Sequence, residues 1–182
     1  MKLVGDKVYL RYPTVDDAEE IFERLTSKIR RTAHIGAKTV QDQRAWLKSH
    51  PKMRREKQEI HFAIVEKKTE EIIGLGGFCN LHMRKKYGEV GVWITESKWK
   101  KGFAKEATKL FMKYGFEDLN LNRVEAVARV KNPAAWRLLE NLGMTREGTL
   151  RQRAKLGDKP ADDYMYSILK SEWGKKNANN RD

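Results

Sequence analysis

Residues 89–95 alternate, with Val90, Val92 and Ile94 on one side and Glu89, Gly91, Trp93 and Thr95 on the other, which predicts a strand. The period then changes. From Gly102, apolar Phe103, Ala107, Leu110, Phe111 and Tyr114 recur at helical spacing with Lys105, Thr108, Lys109 and Lys113 away from them, so a helix is expected to about Glu117. A second strand and helix follow in residues 123–130 and 133–142, where Asn132 before Pro133 marks a helix start and Gly143 its stop. Upstream, residues 8–12 read as a strand, and Thr14 to Asp17 as a cap leading into a helix through Ala18, Ile21, Phe22 and Leu25. Residues 28–38 are basic and patternless. Thr39 then caps a helix through Ala45, Trp46 and Leu47 that is expected to end before Pro51. Residues 61–66 and 72–78 read as a β-hairpin, and residues 145–153 and 163–169 as strands around a turn at Gly157, Asp158, Lys159 and Pro160. The order β, α, α, β, β, β, α, β, α, β, β predicts a mixed α/β sheet, because the early hairpin and the end strands need antiparallel neighbours.

Composition narrows the picture. A chain of 182 residues suits one domain, expected over residues 1–173 with residues 174–182 as a mobile polar tail. Lys and Arg total 38 against 25 Asp and Glu, and the resulting charge of +13 favours anionic partners. Cys79 is the single cysteine, so no internal disulfide forms, and four scattered histidines offer none of the paired spacings of a structural zinc site. No metal is expected. The first ten residues have no apolar core of a signal peptide and no run reaches the length of a membrane span, so a cytoplasmic protein without membrane contact is expected.

The segment that carries chemistry lies between the alternating strand and the long helix. Backbone N–H groups without helical partners and the positive end of the helix dipole meet there, and Gly102 lacks a Cβ, so a diphosphate can approach the main chain. Lys98, Lys100, Lys101 and Lys105 surround the same point. Read alone, Gly102 could equally shape an ordinary turn with a solvated lysine rim. Trp99, Lys100, Lys101, Gly102, Phe103 and Ala104 resemble the Q/R-x-x-G-x-G/A signature of the GNAT superfamily of acyl-CoA-dependent N-acetyltransferases. Trp99 in place of Gln or Arg, with Glu106 and Ala107 after it, is similar to the branch of ribosomal-protein N-terminal (Rim-type) acetyltransferases, which reads W-G-K-G-Y-A-x-E-A. Lys100 departs from that branch's first glycine. Arg123 to Val127, Asn132, Leu138 to Met144, then Arg146, Glu147 and Gly148 resemble the branch's second signature, and Glu172 with Trp173 its closing pair.

The resemblance implies a GNAT-like three-layer fold, a mostly antiparallel sheet splayed at its fourth and fifth strands with helices on both faces, and acetyl-CoA as cosubstrate. It implies that Val92, Trp93 and Ile94 meet the pantetheine through their main chain and offer an N–H to the thioester carbonyl, although their side chains alone read as core. It places Trp99, Lys100, Lys101, Gly102, Phe103, Ala104 and Lys105 at the cofactor, with Asn132 beside it. A general base is needed to take the amine's proton, and Glu89 is the candidate, though it reads equally as an edge residue paired with Lys85 or Arg84. His34, His61 and His82 are the other candidates, and a lone histidine is more often a surface or core residue than a catalyst. The superfamily's Tyr position holds Leu139 and the branch's Ser position Ala135, so the leaving thiolate would be protonated from water.

The expected activity is transfer of acetyl to a primary amine, foremost a protein or peptide N-terminus, by direct attack in a ternary complex. The alternatives are a small-molecule acceptor such as a polyamine, aminoglycoside or amino acid, or a basic RNA- or ribosome-binding module. The last rests on Lys28, Arg30 and Arg31, on Lys52, Arg54 and Arg55, and on Arg84, Lys85 and Lys86. The chain is expected as monomer or homodimer.

Overall fold

The computed structural model describes residues 1–33, 36–156 and 159–178. Its eight strands are β1 (Lys2–Val4), β2 (Val8–Arg11), β3 (Ile60–Glu66), β4 (Ile72–His82), β5 (Tyr87–Ile94), β6 (Arg123–Arg129), β7 (Thr145–Leu156) and β8 (Lys159–Leu169). They form one sheet in the order β1-β2-β3-β4-β5-β6-β8-β7, antiparallel throughout except for the parallel pair β5–β6. This is the mixed α/β architecture that the succession of periods predicts. β1 went unseen because three residues are too few to show a period.

Among the described residues six α-helices cover the sheet: α1 (Ala18–Glu23), α2 (Ser27–Ala33), α3 (Val40–Arg55), α4 (Phe103–Lys113), α5 (Pro133–Asn141) and α6 (Lys170–Ala178). α4 lies over the larger core, where Phe103, Ala107 and Phe111 pack with Val8, Leu10, Phe62, Val90 and Ile94. Gly76 on β4 permits that approach, since a Cβ there would lie 2.7 Å from the Phe111 ring. The helix continues as a π turn over Tyr114–Asp118, matching the extent expected from the stripe. On the opposite face, Ala18, Ile21 and Leu47 from α1 and α3 pack on Ala63, Val65 and Leu75.

The predicted caps form. The Thr14 N–H donates to Asp17 Oδ2 at 2.7 Å, and Thr39 Oγ1 accepts from the Asp42 N–H at 3.1 Å while its own N–H donates to Asp42 Oδ2 at 2.9 Å. α5 ends in a Schellman motif: Gly143 has φ 81°, its N–H reaches the Glu140 carbonyl, and the Met144 N–H reaches the Leu139 carbonyl.

Three expectations are corrected. α3 does not end before Pro51 but carries it inside, because Leu47 and His50 are anchored in the fold and Arg54, one turn beyond, stacks its guanidinium 3.7 Å over the Tyr12 ring. Tertiary contacts thus outweigh the lost hydrogen bond. The basic stretch is not patternless either: α2 buries Ile29 and leaves Lys28 exposed. His34, Gly157 and Asp158 lie outside the described residues, as do residues 179–182. Lys159 and Pro160, expected in a turn, open β8. α6 reaches from the closing Glu172 and Trp173 to Ala178, with the Trp173 ring 5.7 Å from that of Phe116. Among the described residues no helix is long and apolar enough to cross a membrane.

Candidate functional site

The parallel ladder between β5 and β6 contains only Tyr87–Arg123, Gly88–Val124 and Glu89–Glu125. Beyond Glu89 the two strands part, since β6 stays paired with β8 to Arg129 while Val90 to Ile94 stay paired with β4. A wedge-shaped gap opens between them. Backbone groups alternate along a strand, and the Thr95 N–H donates to the Ile73 carbonyl on β4 at 2.8 Å. Trp93 and Gly91 therefore also face β4, whereas the main chains of Val90, Val92 and Ile94 face the gap. Of the three residues expected at a pantetheine arm, the geometry brings Val92 and Ile94 to the gap and turns the main chain of Trp93 to Leu75.

The loop after β5 closes the mouth of this gap. A short turn over Glu96–Lys98 leads to Trp99, whose indole N–H donates to the Ile94 carbonyl at 2.6 Å, one of the groups facing the gap. Lys100 has φ 59° and Gly102 φ 87°, both left-handed. The left-handed turn at residue 100 explains why glycine suits that position, and Lys100 holds it at a cost of roughly 1 kcal/mol. Gly102 is the residue before α4, and the first helical bond runs from the Glu106 N–H to the Gly102 carbonyl. The amides of Phe103, Ala104 and Lys105 precede that bond and stand at the positive end of the helix dipole. Glu106 locks this end to the start of β2, with Oε1 accepting from the N–H groups of Lys7 at 2.8 Å and Val8 at 3.1 Å. Lys7 Nζ in turn donates to the Lys101 carbonyl at 3.1 Å, and Lys101 Nζ to the Ser97 carbonyl at 2.9 Å. Lys98 is drawn away to Glu66, 2.5 Å from its Oε2, while Lys100 and Lys105 are exposed.

Across the gap, Asn132 caps α5 with its Oδ1 accepting from the Ala135 N–H at 3.3 Å. Trp136 follows in the first turn, and its buried indole N–H has no partner among the described residues. Leu139 is buried, and neither it nor Ala135 carries a hydroxyl.

Glu89 stands at the apex of the wedge, on the last rung of the parallel ladder, with its side chain on the sheet face opposite α4. Its partners are not Lys85 or Arg84, which lie exposed in the β4–β5 turn. Asn80 Nδ2 donates to Glu89 Oε2 at 3.2 Å and the Arg153 guanidinium lies 3.8 Å from the same oxygen. Arg153, on β7, also reaches Asp163 Oδ2 at 3.5 Å. The sequence held no signal for Arg153, because a register shift in the β7–β8 ladder between Leu150 and Ala154, with Gln152 at φ 52°, decides where it points. Cys79 beside Glu89 is inert, its thiol pushed up to about 12 by burial and the nearby carboxylates.

Of the basic patches, Arg30 is consumed by the Leu25 and Ala37 carbonyls and by the Phe22 ring, Arg54 by Tyr12, and Lys28 by Glu96 and the Trp99 ring. Arg84, Lys85 and Lys86 remain exposed.

A family model described as an acetyltransferase (GNAT) domain matches residues 7–145. The uncharacterized N-acetyltransferase YoaA of Bacillus subtilis is 33% identical over 171 residues, 92% of this chain and 96% of the relative. The uncharacterized N-acetyltransferase p20 of Bacillus licheniformis is 39% identical over 118 residues, 65% of this chain and 66% of the relative. More distant are the ribosomal-protein-serine acetyltransferase of Escherichia coli, 28% identical over 102 residues, 56% of this chain and 57% of the relative, and the spermidine N(1)-acetyltransferase of Vibrio cholerae, 27% identical over 110 residues, 60% of this chain and 64% of the relative. Among solved structures, a probable acetyltransferase superposes with a TM-score of 0.89 at 22% identity over 95% of this chain and 99% of the other.

Proposed function

The chain belongs to the GNAT family of acetyltransferases, and on that premise we propose that it acetylates a protein or peptide N-terminal amine, with the β5–β6 gap holding acetyl-CoA and Glu89 taking the proton. The observation that carries this reading is the ladder that stops at Glu89–Glu125, which leaves inward-facing main-chain groups beside a carboxylate.

The residues fit acetyl-CoA at three points. The amides of Phe103, Ala104 and Lys105, with Lys100 and Lys105, suit a diphosphate at the helix start. The gap-facing main chain of Val92 and Ile94 suits an amide-bearing arm, and the indole N–H of Trp136 is a further buried donor without a partner among the described residues. Acetyl-CoA supplies an activated acetyl group whose carbonyl oxygen gathers charge as an amine attacks. A main-chain N–H at Val92 or Ile94 stabilises that oxygen, in the manner of preorganised donors worth about 3 kcal/mol each. Glu89 accepts the amine's proton directly or through one water, and Asn80 fixes its orientation. No α5 hydroxyl serves the thiolate, which takes its proton from water.

Arg153 supports a peptide over a polyamine. Its guanidinium stands beside Glu89 on a strand that also carries Arg146, Arg151 and Lys155, so the acceptor side meets one amine more easily than several. The relative named for a ribosomal protein agrees with this direction; the one named for spermidine supplies the competing acceptor. The test is acetyl-CoA-dependent thiol release with N-terminal peptides, free amino acids, spermidine and an aminoglycoside. Release with peptides at a kcat/KM at least tenfold above the others is expected; faster release with spermidine would overturn the acceptor assignment.

A further inference from the structure

We infer that His50, Glu59 and His61 form a binding site for a divalent transition metal, Zn2+ foremost, which ties α3 to the start of β3. In sequence these residues are separated by spacings that match no metal motif. The fold brings one ligand atom from each to within 4.8 Å of the others.

The protonation pattern favours a metal. His50 Nδ1 lies 2.8 Å from the Trp46 carbonyl, and a carbonyl only accepts, so Nδ1 carries the hydrogen. The neutral ring then presents a bare lone pair at Nε2. That nitrogen is buried on a residue 1% exposed and has no hydrogen-bond partner among the described residues. An unpartnered acceptor in such a place carries an uncompensated desolvation cost that a bound cation would remove. A backbone carbonyl holding the remote nitrogen while the other aims inward is the outer-shell arrangement of histidine ligands.

The two other groups are already in contact, His61 Nε2 lying 3.0 Å from Glu59 Oε2. Metal–ligand bonds of about 2.0–2.2 Å place ligand atoms roughly 3.3 Å apart in a tetrahedron, so the pair opens slightly and His50 moves inward. The Trp46 ring, with centroids 3.8 Å from His50 and 5.2 Å from His61, shields one side. Glu59 also lines a cavity of about 450 Å³ with Gln58, Asn80, Leu81, His82 and Tyr87, which leaves room for a water as fourth ligand. Two imidazoles and a carboxylate are borderline donors that rank Zn2+ above Mn2+ and disfavour Ca2+ and Mg2+. This inference does not depend on the acceptor or on the acetyl-transfer reading.

The experiment uses the untagged full chain, stripped with chelator, titrated with Co2+ and then Zn2+. One equivalent of Co2+ giving the absorption bands of a tetrahedral centre, displaced by Zn2+, is expected, together with a melting temperature raised by roughly 5–10 °C at a Zn2+ concentration a hundredfold above Kd. His61→Ala and Glu59→Gln lie at the partly exposed side of the cluster, and circular dichroism verifies their folding. Both are to lose the Co2+ bands and the thermal shift. Absence of the bands in the wild type, or identical binding by folded His61→Ala, overturns the site.

Discussion

The indole N–H of Trp99 donates to the carbonyl of Ile94 at 2.6 Å, joining the loop at the start of α4 to the strand edge that faces the β5–β6 gap. Lys28 Nζ sits 4.5 Å over the ring. Trp99 is 36% exposed, so its role is to hold the loop and not to fill a core. Trp99→Phe keeps a ring for Lys28 and deletes the hydrogen bond, worth about 1 kcal/mol. The KM for acetyl-CoA is expected to rise about fivefold with kcat changed less than twofold, and a melting temperature within 2 °C of the wild type would exclude general unfolding as the cause.

Lys100 holds a left-handed backbone at φ 59° that glycine adopts without strain. Lys100→Gly relieves roughly 1 kcal/mol of that strain and returns about half of it as unfolded-chain entropy, so the melting temperature is expected to rise by about 1–2 °C. The same change removes an exposed cation from the end proposed to hold the diphosphate. Its KM for acetyl-CoA should therefore exceed the wild-type value about threefold at low ionic strength, and the difference should close at about 1 M salt, where charges more than ~3 Å apart are screened. A KM gap unaffected by salt would mean that Lys100 acts through loop shape alone.

In the proposed reading Glu89 carries the chemistry and Arg153 the selection of acceptor. Glu89→Gln keeps the Asn80 contact and removes the proton acceptor, so kcat is expected to fall about 100- to 1000-fold with little change in acetyl-CoA KM. Arg153→Ala removes the cation 3.8 Å from Glu89, and the ratio of kcat/KM for spermidine to that for peptide should rise several-fold. Equal losses for both acceptors would show that Arg153 positions Glu89 and does not select.

How much of this was legible depended on whether the signal was local. Caps at Thr14, Thr39 and Asn132, the stop at Gly143 and the α4 stripe are set by hydrogen bonds and apolar contacts within a turn or two, and the structure keeps each of them. The gap at Val92 and Ile94 followed from a family resemblance, since no alternation of apolar residues states where two strands part. Pro51 misled because a local rule met Arg54 stacked on Tyr12. Arg153 was invisible because a register shift in a neighbouring ladder aims it, and the His50, Glu59 and His61 cluster because a helix and a strand must pack before its atoms meet.

Arg123 closes a bidentate pair onto Glu147, 2.7 Å and 2.5 Å from its two oxygens, while its Nε donates to Glu125 Oε1 at 2.7 Å. Ser167 Oγ donates to Glu147 Oε1 at 2.7 Å, so three strands meet on one carboxylate. The Arg and Glu of the second signature thus clamp β6 to β7 across β8. The Arg123 guanidinium, and then the Ser167 hydroxyl, hold the Glu147 carboxyl down to about 2 against a small opposing effect of burial. A depressed carboxylate contributes stability that is complete above its unfolded pKa, about 4.3, and that disappears as pH falls through about 2. Glu147 is 41% exposed, which limits the effect of Glu147→Gln to about 1 kcal/mol at neutral pH. Urea midpoints of the wild type and Glu147→Gln should differ by a constant amount from pH 7 to 5, converge between pH 4 and pH 2, and coincide below. A difference that persists undiminished at pH 2 would assign the loss to the shape of the amide and not to the charge.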